Sequence, residues 1–223
     1  MSAIFVAGAL STNTCMEFAD RGLDDQSIQG DLTAQEPPGW LLYGKYDGLP
    51  AYDFVSAIDT EIKHGGQKSA CFLAVAVTKD DQARLTQYFD AGLYRGKRIR
   101  FSGYLKTNMV NGWAGLWMRV NTNSKFGYAF DDMEDRYLNG TTDWTYYEIV
   151  LDVPDTAAII YIGAHLYGRG QVWVDDCAFE VVDESVEVTD KYRLSGGRDG
   201  ISHGPRLLRD EPVNLNFEEE YIE

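Results

Sequence analysis

The chain has 223 residues, 44% of them hydrophobic, and a formal net charge of −15. This length suits one β domain plus a tail and is sufficient to bury a hydrophobic core. The acidic charge argues against unaided binding to nucleic acid or to an anionic membrane, because both require Lys and Arg to neutralise phosphates. The excess of carboxylates is compatible with calcium ligation, although it also serves solubility.

The cysteines bear on the compartment in which the protein works. Cys15, Cys71 and Cys177 cannot all pair within the chain, and none has the spacing of a zinc site. Cys71 and Cys177 lie in apolar contexts, which favours buried free thiols in a reducing compartment. Residues 3–10 are apolar, but they lack a basic region before them and are too short to span a bilayer. We therefore expect a cytoplasmic protein.

The first half of the chain contains a long polar loop followed by short strands. Residues 1–12 are a first strand or a loose leader, and residues 20–38 form a loop that closes at Pro37 and Pro38. The run 71–77 is almost continuously apolar, which is typical of a central strand buried on both faces. The strands predicted in this half are 40–43, 52–62, 71–77 and 85–89.

The second half of the chain alternates between apolar and polar residues. In 98–106 the side chains of Ile99, Phe101 and Leu105 point one way, which predicts a half-buried strand. The acidic segment 130–136 is interpreted as a loop. Further turns are predicted at 140–143 and 168–170. The strands predicted in this half are 98–106, 113–120, 144–153, 160–167, 171–176 and 179–182.

Many short strands separated by Gly and Asp turns, with no helical period before residue 183, predict an all-β fold. The expected architecture is a jelly-roll β-sandwich of two antiparallel sheets with an irregular C-terminal tail. Residues 1–182 would form the sandwich. Residues 183–223 are charged and rich in glycine, and would be a tail packed on the sandwich or trailing from it. The tail contains Asn214-Leu215-Asn216-Phe217-Glu218, which echoes Asn13-Thr14-Cys15-Met16-Glu17.

Several fragments in a familiar order resemble the carbohydrate-binding-module type of jelly roll, also called the galactose-binding-like fold. They cover roughly residues 13–182 and are Asn13-x-x-Met16-Glu17, Gly66-x-x-Ser69-Ala70, Leu85-x-Gln87, Gly96-Lys97-x-Ile99-x-Phe101-Ser102, Trp144-x-x-Tyr147 and Val172-x-Val174-Asp175-Asp176. The segments 112–120, 130–136 and 140–144 are similar to a subgroup of accessory domains in bacterial transcriptional regulators of the arabinose-operon type. No helix-turn-helix pattern accompanies them here, so the regulatory role is not carried over.

The resemblance implies a structural calcium ion. In the family the ion is often held by the Glu of the first motif and by an Asp of the final strand pair. The matching residues are Glu17 and Asp176, with Asp175 as a helper. A site of hard oxygens that joins both ends of the domain would close the sandwich. The alternative is that these carboxylates are plain surface charges, and Met16 in place of the usual Phe weakens the match.

The same fold predicts a ligand site on one sheet face. Aromatic side chains stack on sugars or shield an apolar ligand, while Arg and Lys orient its polar groups. The alternative is that these aromatic residues pack under a loop or under the tail. The candidate ligand-binding residues are Tyr104, Lys106, Trp113, Trp117, Arg119, His165 and Tyr167.

The sequence leaves two functions open on this scaffold. The first is a module that binds a saccharide or another small molecule without transforming it. The second is an enzyme similar to the calcium-dependent cyclases that fold isoprenoid indoles, with Asp131 or Asp132 as acid and His165 as base or relay. The sequence carries no pattern of covalent hydrolysis, phosphate binding or zinc binding. The expected ligand is a small molecule or a saccharide. A second copy of the chain, in a homodimer, is the other partner considered.

Overall fold

The computed structural model describes residues 36–44, 54–74, 81–190, 198–199 and 208–220. Within them, one turn of 3-10 helix at Gly92–Tyr94 is the single helical segment, and no helix there has the length and apolar character needed to cross a membrane. The strands are β1 (Leu41–Tyr43), β2 (Phe54–Asp59), β3 (Ser69–Ala74), β4 (Gln82–Asp90), β5 (Arg98–Thr122), β6 (Lys125–Phe126), β7 (Ala129–Asp131), β8 (Leu138–Asp152), β9 (Ala157–Tyr167), β10 (Gln171–Val182) and β11 (Arg198–Asp199).

The long strand β5 joins the two sheets. Its first half, Arg98–Asn108, pairs with β8 on one side and β10 on the other. Its second half, Trp113–Thr122, pairs with β9. Beyond β10 lie β3 and then β2, and beyond β9 lie β4 and then β1. All of these pairs are antiparallel, and the predicted jelly-roll β-sandwich is confirmed.

Strand β5 also corrects the prediction of two separate strands at 98–106 and 113–120. In its first half the residues that pack into the core have odd numbers, whereas in its second half they have even numbers. The alternation changes near Met109, whose φ of +52° is left-handed, and the register with β8 shifts repeatedly between Leu105 and Ala114. Such irregularities re-aim side chains. Both halves therefore turn an apolar face to one core, through Ile99, Phe101, Leu105, Ala114, Leu116, Met118 and Val120.

Other predicted boundaries shift because hydrogen bonds extend the strands. The predicted turn at 140–143 lies inside β8, where the Thr142 and Thr107 hydroxyl oxygens are 2.9 Å apart. The predicted loop at 130–136 begins with the end of β7. The strands predicted at 171–176 and 179–182 are one strand with a bulge. Strand β3 is buried at every residue between β2 and β10, as expected for the central run.

The cysteines differ from the expectation of free thiols. Cys71 is disulfide-bonded, although it is fully buried in β3 as predicted. Cys177 is a free and buried thiol, and burial raises its pKa above the ordinary range. The prediction of a buried free thiol therefore holds for Cys177 and is wrong for Cys71. Cys15 lies outside the described residues.

Residues 208–220 pack on the sandwich and connect its two sheets. Val213 exchanges two hydrogen bonds with the side chain of Gln87 on β4. The bulge in β10 frees the Cys177 amide from the ladder, and this amide donates to the Leu215 carbonyl at 3.0 Å. Phe217 is fully buried in the core, 5.0 Å from the ring of Trp40. The end of the chain thus adds to the core, while the division between a body of 1–182 and a tail of 183–223 stays a prediction.

Candidate functional site: an aromatic sheet face

The outward face of β4, β9 and the second half of β5 collects aromatic and cationic side chains. The strands are in register, so outward residues align in rows across the sheet. Arg84 lies beside His165, which lies beside Gly115. Tyr88 lies beside Tyr161, which lies beside Arg119. We call this surface the aromatic face, and its members are Gln82, Arg84, Tyr88, Trp113, Trp117, Arg119, Tyr161, His165 and Tyr167.

A pair of stacked rings marks one end of the aromatic face. Trp113 and Tyr167 lie opposite each other on β5 and β9, with centroids 4.2 Å apart and ring planes 6° apart. Both side chains are half-buried. Tyr137, which is 52% exposed, lies 6.0 Å from Trp113 at the rim. Because each stacked ring covers one face of the other, ligand contact is left to their outer faces and edges.

Trp117 forms the floor of the aromatic face. Its side chain is 1% exposed, and the guanidinium carbons of Arg84 and Arg119 lie 5.4 and 5.5 Å from its ring centroid. Its Nε1 is buried, and the described part of the chain offers it no hydrogen-bond acceptor. The neighbouring Gly163 leaves room for this nitrogen, since a Cβ at that position would stand 2.9 Å from it. Trp117 therefore supports the guanidinium groups and is not an open stacking platform.

His165 lies beneath the surface of the aromatic face. It is fully buried, and neither ring nitrogen has a hydrogen-bond partner among the described residues. The ring of Trp113 lies 4.4 Å away, and the backbone of Asp132 passes over Gly115, next to the His165 Nε2. Burial, and secondarily the charge of Arg84, lowers the pKa of His165 well below its usual 6.5. The imidazole is therefore neutral and has no solvent access, a poor arrangement for a proton relay.

The two candidate acids have different surroundings. Asp131 is buried, accepts a hydrogen bond from the Met133 amide at 2.8 Å, and forms an ion pair with Arg136 at 2.7 Å. These contacts give Asp131 a structural role in holding the turn. Asp132 is only partly buried and lies over the aromatic face at Gly115. Of the three residues of the enzyme hypothesis, Asp132 is therefore the one that lies at the aromatic face and is partly exposed to solvent.

Tyr104 and Lys106 do not share the aromatic face, which corrects the expectation of a single site. They lie in the first half of β5, within the other sheet. Tyr104 stacks on His64 with centroids 3.6 Å apart, and Lys106 forms an ion pair with Asp143 at 2.8 Å. The physical reason is that the first half of β5 pairs with β8 and β10, whereas its second half pairs with β9. Of the predicted ligand residues, the structure brings together Trp113, Trp117, Arg119, His165 and Tyr167.

The predicted calcium ligands are described in part. Both carboxylate oxygens of Asp175 accept backbone N–H groups, from His64 at 2.8 Å, Gly65 at 3.1 Å and Asp176 at 2.7 Å. Asp176 lies 2.7 Å from the His64 Nδ1. Glu17 lies outside the described residues. Among the described residues, no group of three or more His, Cys, Asp or Glu is arranged to hold a metal ion.

Four members of the aromatic face are not among the ligand residues predicted from the sequence, namely Gln82, Arg84, Tyr88 and Tyr161. A signal was present, because Leu85 and Phe89 alternate with Arg84, Thr86 and Tyr88 along β4. Likewise, Tyr161 is separated from His165 and from Tyr167 by an even number of positions along β9, so the three side chains share one face of the strand. The alternation predicts which residues share a face of one strand, but the neighbouring strand across the sheet is set by topology.

Together these observations define a jelly-roll β-sandwich that carries aromatic and cationic side chains on one outward sheet face. No family model matches the chain. Over 184 residues it is 42% identical to an uncharacterized HTH-type transcriptional regulator, YbfP, of Bacillus subtilis (strain 168). The matched region is 82% of this chain and 57% of the regulator, so the chain spans little more than half the length of that relative. The similarity agrees with the resemblance to accessory domains of bacterial regulators.

Solved structures show only a general likeness. The active domain of tailspike protein 4 of bacteriophage CBA120 aligns with a TM-score of 0.49 and 12% identity, over 65% of this chain and 19% of that one. The CBM22-1 xylan-binding domain of Paenibacillus barcinonensis Xyn10C aligns with a TM-score of 0.44 and 13% identity, over 65% and 86% of the two chains. Similarity at this level does not assign a function.

Proposed function

We propose that the chain is a saccharide-binding domain whose ligand site is the aromatic face, and that it serves as the effector-binding part of a bacterial transcriptional regulator. The observation that carries the proposal is the half-buried stack of Trp113 and Tyr167 beside the guanidinium group of Arg84. Aromatic rings contact the C–H faces of a sugar, and a guanidinium group donates hydrogen bonds to its oxygens. The regulator relative supports the effector role and a cytoplasmic location.

The first test is binding of saccharides to a Trp113→Ala variant. We expect the affinity to fall about 10- to 100-fold, because the variant loses one platform of the stack and the support of Tyr167. Isothermal titration calorimetry with a panel of neutral di- to hexasaccharides measures this change. Tyr146→Ala is the control, because Tyr146 is an exposed aromatic residue of the other sheet. Equal affinities of Trp113→Ala and the unmodified protein would place the site elsewhere.

We also propose that calcium stabilises the sandwich near the loop 64–68. Asp176 approaches this loop from β10, and Glu218 accepts hydrogen bonds from the Gln67 and Lys68 amides at 2.5 and 3.1 Å. The described residues alone do not supply the six to eight oxygens that the ion prefers, so this proposal depends on Glu17. Both carboxylate oxygens of Asp175 already accept hydrogen bonds from backbone N–H groups.

Chelation tests the calcium proposal. We expect an excess of EGTA to lower the melting temperature and added Ca²⁺ to restore it, because an ion bound only to the folded state stabilises that state. Differential scanning fluorimetry at fixed ionic strength measures the shift, with Mg²⁺ as the comparison ion. A melting temperature that does not change on addition of EGTA would contradict the calcium proposal. The homodimer stays a prediction.

A further inference from the structure

The turn between β7 and β8 is held rigidly beside the aromatic face. Arg136 bridges the Asp131 carboxylate at 2.7 Å and the Glu148 carbonyl at 3.2 Å. Met133 is fully buried with a left-handed φ of +61°. Its sulfur accepts the Leu116 amide at 3.2 Å, at the edge of β5. These contacts fix the position of Asp132, which lies between Asp131 and Met133.

The turn places Asp132 over the aromatic face. Its carbonyl oxygen stands 3.3 Å from the position that a Cβ on Gly115 would occupy. The charge of Arg84 on β4 lowers the pKa of the Asp132 carboxyl group, and the charge of Asp132 raises the pKa of Tyr167 on β9. The side chain is partly buried, and its Oδ1 lies 3.3 Å from the Glu134 amide nitrogen. A Cβ at position 115 would also lie 3.1 Å from the Met133 Cβ, so glycine there lets the turn approach closely without displacing its neighbours.

We infer that Asp132 selects the polar groups of the ligand, accepting hydrogen bonds from the hydroxyls of a neutral saccharide and disfavouring an acidic one. This inference rests on the proposed function. An ionised carboxylate only accepts hydrogen bonds, and two oxygens side by side suit adjacent hydroxyl donors. A sugar carboxylate at the same place would meet a like charge that is partly shielded from water. Arg136 acts as a positioning residue, because it reaches the ligand only through Asp131 and the turn.

The surroundings of Asp132 predict that the affinity for the ligand depends on pH. Burial raises the pKa of Asp132, and the negative charges of Glu134 and Asp131 raise it further. The hydrogen bond from the Glu134 backbone N–H and the charge of Arg84 lower it, so that the net shift is upward. From β9 the facing groups are Tyr167 and the neutral His165, and β5 contributes the uncharged Gly115. Affinity for a neutral saccharide should therefore fall as the pH falls through this raised pKa, because the protonated carboxyl is a weaker acceptor.

The experiment compares neutral trisaccharides with trisaccharides of hexuronates by calorimetry between pH 4 and pH 8. For Asp132→Asn we expect about tenfold weaker binding of the neutral sugar, about tenfold less discrimination against the uronate, and a flat pH profile. Glu134→Gln removes an exposed carboxylate from the same turn and is the control for affinity and discrimination at pH 8, whereas its pH midpoint should move downward, because the charge of Glu134 raises the pKa of Asp132. Circular dichroism and melting confirm that each variant folds.

The positioning role has a separate readout. Arg136→Gln removes the cation that neutralises Asp131, so the pH midpoint of binding should move upward, and Arg136→Lys should restore it in part. If Asp132→Asn binds neutral and acidic sugars as the unmodified protein does, the inference is wrong and the proposed function stands. If no sugar of the panel binds the unmodified protein, the proposed function fails and the inference with it.

Discussion

Replacing Phe217 with alanine is expected to lower the free energy of unfolding by about 3–5 kcal/mol, the usual cost of removing a buried phenylalanine. Phe217 is fully buried although it is only six residues from the end of the chain. It packs on Trp40, whose Nε1 donates to the Asn214 carbonyl at 3.0 Å. Urea denaturation followed by tryptophan fluorescence measures the change.

A surface substitution is the control for Phe217→Ala. Val181 on β10 is 50% exposed, and its replacement by alanine should change stability by less than about 0.5 kcal/mol. If the two variants unfold at the same urea concentration, residues 208–220 contribute nothing to the core and the tail is dispensable. If Phe217→Ala alone is destabilised, any fragment used for binding studies must include this segment.

Acidification is expected to destabilise the protein through His165. Its folded-state pKa lies below the unfolded value of about 6.5, so the unfolded chain binds more protons below that pH. Stability should therefore be unaffected by this group above about pH 6.5 and should fall by about 1.4 kcal/mol for each pH unit below it, until the folded-state pKa is reached. Denaturation in urea at pH 7.5, 6.5, 5.5 and 4.5 measures the slope.

His165→Gln separates this contribution from the titration of the carboxylates. Glutamine does not titrate. Below about pH 6.5 the free energy of unfolding of the variant should therefore fall less steeply with pH than that of the unmodified protein, by about 1.4 kcal/mol per pH unit. His64→Gln is the matched control, since His64 lies at the surface beside Tyr104 and Asp176. Identical slopes for His165→Gln and the unmodified protein would mean that the imidazole is not buried and neutral.

Prediction from sequence succeeded where a residue's surroundings follow from its own strand. The period of two in 98–106 and 160–167 identified the buried residues Ile99, Phe101, Ile160 and Ile162, since alternate side chains of a strand point to opposite faces. The continuous apolar run around Cys71 identified an interior strand for the same reason. These features depend on local geometry and on the hydrophobic effect.

Prediction failed where distant segments meet. Tyr104 and Trp113 lie on one strand, and nothing local shows that β5 pairs with β8 and β10 at the first residue and with β9 at the second. The echo of the first motif at Asn214–Glu218 was visible, but its place against Trp40 and Cys177 depends on a bulge in β10. Such positions are set by long-range packing, which a sequence pattern does not encode residue by residue.

The amino-acid pattern alone was sufficient for the all-β class, the sandwich architecture and the aromatic character of a candidate site, because these follow from alternation and composition. Only the folded chain decided which aromatic residues act together. The pairing of β4, β9 and β5 brings Arg84, Tyr161 and Tyr167 beside Trp113 and Trp117. The same pairing buries His165 under the turn that carries Asp132, because neighbours across a sheet are chosen by topology.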